Sequence, residues 1–267
     1  RDSTNVVVGD HVGVVGDTSG KKDTLARIVR LEDRTSVLRR PADDTDSFER
    51  IVVANADYLL IVSAVADPPP RTGFVERALI AAFVGGLTPL VCLTKSDLAD
   101  PSAFAAEFRD LDVEVLTTGI DDPLDALSGY ITGNVSALVG HSGVGKSTLF
   151  NRLIPDAERA TGEVSGVGKG RHTSTQSVAL QLPQGGWIID TPGIRSLGLA
   201  HVDPDTVVEV FEDLREVIED CPRGCTHMGP PADPECALDT LTGPSARRVT
   251  AIRRLLEALR SNNEWEM

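Results

Sequence analysis

The stretch GHSGVGKST, at residues 140–148, contains the full pattern G-x-x-x-x-G-K-[ST]. It follows the apolar run VSALVG and opens the run KSTLFNRLI, which predicts a strand, a glycine-rich turn and a helix. Glycines let backbone N–H groups point inward around phosphate oxygens, and the helix N-terminus adds its positive end. We therefore expect a phosphate loop in which Lys146 reaches the β- and γ-phosphates and Ser147 binds Mg²⁺. The alternative is a tight strand-to-helix turn that happens to contain Lys and Ser.

The run WIIDTPG, at residues 187–193, supplies a second candidate element of the same site. Asp190 ends an apolar strand, as a Mg²⁺-organising Asp does in phosphate-loop enzymes. Gly193 is placed to offer its N–H to a γ-phosphate. The pattern D-x-P-G alone is a common turn, and it becomes informative here because it follows a strand in a chain with a phosphate loop.

The motif TKSD, at residues 94–97, fits the [NT]-K-x-D pattern that selects guanine. Asp97 would accept two hydrogen bonds from guanine, whereas adenine would leave the carboxylate unsatisfied. Such a site discriminates by roughly 10⁴-fold or more. Lys95 would lay its stem across the ring, and the later strand end VLTTG would complete the pocket. If TKSD were accidental, the chain would instead be an ATP-using phosphotransferase.

The predicted nucleotide-binding residues come from these three regions. They are Thr94, Lys95, Ser96, Asp97, Thr117, Thr118, Gly140, His141, Ser142, Gly143, Val144, Gly145, Lys146, Ser147, Thr148, Asp190 and Gly193.

The base motif precedes the phosphate loop, which reverses the order found in ordinary GTPases. From about residue 50 to 200, continuous apolar strands alternate with helical runs, which predicts a largely parallel sheet covered on both faces. The same sheet can be assembled from a cyclically re-cut chain, because the termini of domains usually lie close together. We predict three units: part of a small β-barrel at 1–46, a circularly permuted α/β GTPase domain at 47–200, and a helical domain at 201–267.

Composition limits the possible partners. The chain has 267 residues and a net charge of −14, which counts against a simple nucleic-acid binder. The longest apolar run, YLLIVSAVA, is too short to span a bilayer, and no signal peptide is visible. We therefore expect a cytoplasmic monomer without a membrane partner. Five arginines on the last predicted helix either address RNA phosphates or form a solvated helix face.

A metal site is predicted by Cys221, Cys225, His227 and Cys236, which form the pattern C-x3-C-x-H-x8-C. Three thiolates and an imidazole suit a tetrahedral structural Zn²⁺. A disulfide or free thiols are the alternatives, and a cytosolic location disfavours the disulfide.

The motif order and these flanking pieces resemble the circularly permuted GTPases of the RsgA family, which depend on the small ribosomal subunit. The resemblance covers essentially the whole chain through TKSD, GHSGVGKST, GVGKGRHTST, DTPGIRSLGL and the Cys/His cluster. It implies an OB barrel, a permuted GTPase and a zinc-containing helical domain. It also implies a role late in small-subunit maturation, contact with rRNA, and GTP hydrolysis that is faster on the subunit.

The resemblance also suggests catalytic roles. Ordinary GTPases place a water-orienting Gln just after D-x-x-G, but this position is Ile194, so slow intrinsic turnover is expected. By resemblance, His172 in GRHTST would substitute, with Lys146 as the second catalytic residue; the alternative is a loop His without a role. Thr173 and Thr175 are candidates to bind Mg²⁺ beside Ser147 and Asp190. A GTP-gated RNA- or protein-binding module with incidental hydrolysis is the competing function.

Overall fold

The computed structural model describes residues 5–19, 21–41, 49–155, 177–191 and 197–261. Its first four strands form two antiparallel hairpins. Strand β1 (Val12–Gly16) pairs with β2 (Ala26–Leu31), and β3 (Val37–Pro41) pairs with β4 (Glu49–Ala54). Within the described residues these are separate two-stranded sheets, so the OB-like barrel stays a prediction. The β3–β4 hairpin joins both sides of the boundary predicted at residue 46, and the three-unit division also stays a prediction.

A six-stranded sheet carries the predicted motifs. Its strands are β5 (Tyr58–Ala64), β6 (Thr88–Thr94), β7 (Glu114–Thr118), β8 (Val135–Gly140), β9 (Val178–Gln181) and β10 (Trp187–Asp190). The spatial order is β7-β6-β5-β8-β10-β9, with parallel pairing except at the edge strand β9, which runs antiparallel to β10. The sheet is therefore mixed, and the strands that end in the base motif and the phosphate loop flank β5.

Helices cover both faces of this sheet. They are α1 (Thr72–Gly85), α2 (Ser102–Ala106), α3 (Asp125–Ile131) and α4 (Lys146–Leu153). Successive residues of β5 alternate between two apolar clusters: Leu59 and Ile61 pack with α1, while Leu60 and Val62 pack with α3 and α4. The run PSAFAAEFRDL, at residues 101–111, starts with Pro and has the composition of one helix, but α2 ends at Ala106 and a separate 3₁₀ turn forms at Arg109–Leu111.

The C-terminal region contains short helices and one long helix. The short helices are α5 (Pro204–Glu209) and α6 (Glu212–Arg215), with 3₁₀ turns at Val217–Asp220 and Ala237–Thr240. The long helix is α7 (Gly243–Arg260). Apolar residues at helical spacing over residues 203–220 predict one continuous helix, and that prediction is wrong. Phe211 leaves the helical conformation and packs edge-on against Phe83 of α1, with ring centroids 5.4 Å apart.

The arginines of α7 mostly contact neighbouring elements of the same chain. Arg248 forms ion pairs with Asp112 and Asp213, and Arg254 donates to the carbonyl of Glu107. These contacts favour a structural role for this face over a free phosphate-binding surface. Among the described helices, none combines the length and apolar content needed to cross a lipid bilayer.

Candidate functional site

The base motif and the phosphate-loop helix line one cavity of about 240 Å³. Three segments form its walls: the end of β6 with the residues after it, the loop after β7, and the first two turns of α4. The lining residues are Thr94, Lys95, Asp97, Leu98, Thr118, Gly119, Ile120, Gly145, Thr148, Leu149 and Arg152. Elements that are distant and inverted in sequence therefore meet at one edge of the sheet.

Thr94 connects the two motifs directly. Its buried hydroxyl donates a hydrogen bond to the carbonyl oxygen of Val144 in the phosphate loop, and it lies 3.3 Å from the carbonyl oxygen of Ser63. Gly145, which follows Val144, has a positive φ of 88°, a conformation that residues with a side chain rarely adopt. The first residue of the base motif thus fixes the position of the phosphate loop.

Asp97 is held by the loop that follows β7. The amide of Ile120 donates to Asp97 Oδ1 at 3.2 Å, and the amide of Gly119 donates to Asp122 Oδ2 at 2.6 Å. Lys95 lines the cavity, with its ammonium bonded to the carbonyl of Asp67. Six of the predicted residues line this cavity: Thr94, Lys95, Asp97, Thr118, Gly145 and Thr148. The other described ones do not: Ser96, Thr117, Gly140, His141, Ser142, Gly143, Val144, Lys146, Ser147 and Asp190.

Arg152 reaches the same loop from α4. One guanidinium nitrogen lies 3.1 Å from the carbonyl of Gly119 and 3.5 Å from Thr118 Oγ1, and the other donates to the carbonyl of Asp122. Sequence reasoning missed Arg152, Asp122, Leu98 and Ile120. One available signal was the helical spacing of Gly145, Thr148, Leu149 and Arg152, which places them on one face.

The phosphate loop has the conformation that its glycines predict. Gly143 has a φ of 81°, and a Cβ on Gly140 would lie 2.7 Å from the carbonyl oxygen of Val62. Lys146, the first residue of α4, forms an ion pair with Asp190 at the end of β10. The Lys and Asp predicted to act on phosphate and Mg²⁺ are therefore in direct contact.

His141 supports the loop from the side of α1. Its ring lies against Phe74, with centroids 4.3 Å apart. Burial and the nearby charge of Arg71 lower the pKa of His141 to about 4. The ring is therefore neutral at neutral pH and packs as a largely apolar group.

The predicted metal ligands also come together. The ligand atoms of Cys221, Cys225, His227 and Cys236 all lie within 4.8 Å of one another, and the cysteines are free thiols. Tetrahedral zinc, with bonds of about 2.0–2.3 Å, holds its ligands roughly 3.5–4 Å apart, so this donor set and spacing fit zinc.

Neighbouring side chains hold His227 and the cysteine sulfurs in place. His227 Nδ1 lies 3.6 Å and 3.7 Å from the sulfurs of Cys221 and Cys225, while its Nε2 lies 2.8 Å from Asp205 Oδ1. Burial raises the pKa of Cys225 to about 12. Asp233 accepts hydrogen bonds from the amides of Thr226 and Met228, which fixes the loop that carries His227.

Comparison with known proteins identifies the family. The model of the RsgA GTPase family matches residues 31–200. The chain belongs to the RsgA GTPase family. A relative from Chromohalobacter salexigens, named small ribosomal subunit biogenesis GTPase RsgA, is 38% identical over 87% of this chain and 68% of its own length. A relative of the same name from Nitrosospira multiformis is 35% identical over 95% of this chain and 80% of its own length.

Two solved structures of similar fold are consistent with membership of the RsgA family. YjeQ from Thermotoga maritima superposes with a TM-score of 0.64 at 22% identity, covering 96% of this chain and 86% of that protein. YloQ, described as a circularly permuted GTPase, gives a TM-score of 0.62 at 24% identity, covering 96% of this chain and 83% of that protein. The fold is therefore that of a circularly permuted GTPase, as the motif order predicts.

The structure does not describe four of the predicted site residues. His172, Thr173, Thr175 and Gly193 lie outside the described residues. Their roles stay predictions from the sequence.

Proposed function

We propose that this chain hydrolyses GTP to GDP and phosphate, and that it does so in the maturation of the small ribosomal subunit. The observation that carries the proposal is the shared cavity, in which the carboxylate of Asp97 and the start of α4 at Gly145 line the same space. One nucleotide can therefore contact the base motif and the phosphate loop together. Membership of a family of GTPases supports the same reaction.

Guanine would be selected by the carboxylate of Asp97. The N1–H and 2-amino groups of guanine both donate to such an oxygen pair, whereas adenine presents no matching donors. The side chains of Leu98 and Ile120 line the cavity and are more than half exposed, so they offer apolar contact area to a planar base. Burying them against the base removes that area from water.

The triphosphate would be bound by the phosphate loop. Lys146 would exchange its ion pair with Asp190 for the β- and γ-phosphates, which leaves the carboxylate of Asp190 available to a metal. Ser147 and Asp190 would hold Mg²⁺, with Thr173 or Thr175 as further candidates. Mg²⁺ would neutralise charge on the phosphate oxygens when bound. The ammonium of Lys146 and the loop N–H groups would stabilise the charge that develops as water attacks.

The attacking water would be oriented by His172, because Ile194 stands where ordinary GTPases have a Gln. Intrinsic turnover would then be slow until the ribosomal subunit brings His172 into place. Replacing His172 with Ala should reduce subunit-stimulated hydrolysis without changing the affinity for GTP. Stimulated turnover equal to that of the unchanged protein would remove His172 from the mechanism.

A structural Zn²⁺ would be held by Cys221, Cys225, His227 and Cys236, which fit it in donor type and spacing. It would cross-link the loop between α6 and α7, a segment with little regular structure of its own. Elemental analysis of freshly purified protein should find zinc, and its absence would reject the assignment.

The partner is suggested by the relatives, which are named for small ribosomal subunit biogenesis. We extend this to a cytoplasmic monomer that contacts the subunit and its rRNA. GTP hydrolysis measured with and without purified small subunits tests the proposal: stimulation is expected, and its absence would favour a GTP-gated binding module. Competition between GDP and ADP tests the base, since equal competition would contradict guanine selection.

A further inference from the structure

Arg152 is the feature that the proposed reaction does not require. It lies in the last turn of α4, and its guanidinium contacts three acceptors in one short loop, residues 118–122. These are the carbonyls of Gly119 and Asp122 and the hydroxyl of Thr118. A cation near a helix C-terminus commonly interacts with its own helix carbonyls, but both terminal nitrogens of this guanidinium bond to a different element.

The loop that Arg152 holds is the one that positions Asp97. The Ile120 amide donates to Asp97 Oδ1 at 3.2 Å. Gly119 approaches so closely that an added Cβ would lie 3.1 Å from the carboxylate oxygens of both Asp97 and Asp122. One hydrogen bond therefore ties this loop to the carboxylate of Asp97, and little free space separates Gly119 from that carboxylate, so the loop helps to set where the carboxylate lies.

Arg152 also belongs to the element that begins at the phosphate loop. Gly145, Thr148, Leu149 and Arg152 all line the cavity, so one face of α4 extends from the phosphate end to the loop beside the base. A carboxylate that reads two donors on a base needs its oxygens held in position, since a hydrogen bond weakens steeply with misalignment. The planar guanidinium group of Arg152 restrains the 118–122 loop, because its N–H donors have a fixed geometry relative to one another.

We propose that Arg152 is a positioning residue for guanine selection, which fixes the 118–122 loop to α4 and thereby fixes the carboxylate of Asp97. The inference rests on the proposed function, because it concerns the same nucleotide site. It assigns to α4 a second task besides phosphate binding: setting the geometry of base recognition. Arg152 acts through the loop and needs no contact with the nucleotide.

The test compares two nucleotides that differ in one hydrogen-bond donor. IDP lacks the 2-amino group of GDP, so the ratio of their dissociation constants measures the contact that Asp97 makes with that group. Calorimetric titration of the full chain would use GDP and IDP with the unchanged protein, R152A and R152K. R215A is the matched control, because Arg215 donates to the carbonyl of Glu209 on the surface, away from the cavity.

The unchanged protein should prefer GDP by about tenfold or more, as expected for one hydrogen bond to a charged group. R152A should lower this preference by roughly fivefold, R152K should restore part of it, and R215A should leave it unchanged. Because the ratio compares two ligands on one protein, a general loss of stability cancels.

An R152A variant with weaker nucleotide binding but an unchanged GDP-to-IDP ratio would overturn the inference and leave the proposed function intact. If the unchanged protein bound GDP and ADP equally, guanine selection itself would be wrong. If R152A did not fold, the ratios of R152K and R152Q would decide, since each retains a donor without the rigid fork. A ratio equal to that of the unchanged protein in both would reject the positioning role.

Discussion

Glu76 gives the protein a pH-dependent stability that a single substitution should remove. It lies on α1 with 8% of its surface exposed, beside a cavity of about 600 Å³ between α1 and the end of α7. Within the described part of the chain, its carboxyl makes no hydrogen bond or ion pair. Burial raises the pKa of Glu76 to about 7; Arg254 opposes this, and the charges of Glu107 and Glu257 add to it.

The sign of the effect follows from the two pKa values. The folded protein holds the proton up to pH about 7, whereas an unfolded chain releases it near the ordinary value of 4.5. Between these values the folded state binds more protons, so stability falls as pH rises through this window and is fully retained below it. The difference between the two pKa values corresponds to roughly 3 kcal/mol. Because Glu76 borders a cavity and not a fully packed interior, screening reduces this to about 1–2 kcal/mol.

Replacing Glu76 with Gln keeps the shape and removes the charge. The free energy of unfolding would be measured with urea at pH 5 and at pH 8. At pH 5, E76Q and the unchanged protein should have similar stabilities. At pH 8, E76Q should be more stable by about 1–2 kcal/mol. Glu235→Gln is the matched control, because Glu235 is exposed and is not among the charges that act on Glu76. Stability curves that remained parallel across this pH range would refute the reasoning.

Three further substitutions test other contacts. Gly119→Ala should weaken GDP binding by about tenfold with little change in the melting temperature, because its Cβ would crowd the carboxylate of Asp97; unchanged affinity in a titration would contradict this. Asp205→Asn should lower zinc affinity by about 10- to 100-fold in a chelator competition, because it removes the carboxylate that accepts from His227. Arg77→Met should cost about 1–3 kcal/mol in urea unfolding and speed amide exchange at the end of α7, since Arg77 is buried and donates to Ala258 O at 2.9 Å. Equal exchange in both proteins would exclude that link.

The parts of the site that sequence could predict are those whose geometry is local. The phosphate loop needs its glycines at fixed positions, and Gly143 and Gly145 adopt the left-handed conformations that the pattern implies. The base motif directly ends a strand, so the rule for parallel sheets places it at the correct edge. Both expectations depend on a few consecutive residues.

The residues that were missed depend on tertiary placement. Arg152 is an ordinary helical arginine in sequence, and its role appears only when the 118–122 loop lies beside α4. Leu98 and Ile120 look like ordinary loop residues in the sequence, and only the folded structure shows that both line the same cavity. The broken helix around Phe211 has the same origin, because packing against Phe83 outweighs the helical spacing of the sequence.

The inverted motif order gives the segment after the Asp-Thr-Pro-Gly motif a new set of neighbours. In this chain the next described residues, 197–201, leave the sheet and contact other regions. Gly198 donates to the carbonyl of Arg39 at 3.0 Å, and Ala200 donates to Glu49 Oε1 at 2.6 Å, which ties the segment to the β3–β4 hairpin. Arg77 lies between the carbonyls of Leu197 and Ala258, at 3.5 Å and 2.9 Å, and so links the same segment to α7. Within the described residues, the segment that follows the Asp-Thr-Pro-Gly motif is therefore attached both to the β3–β4 hairpin and, through Arg77, to α7.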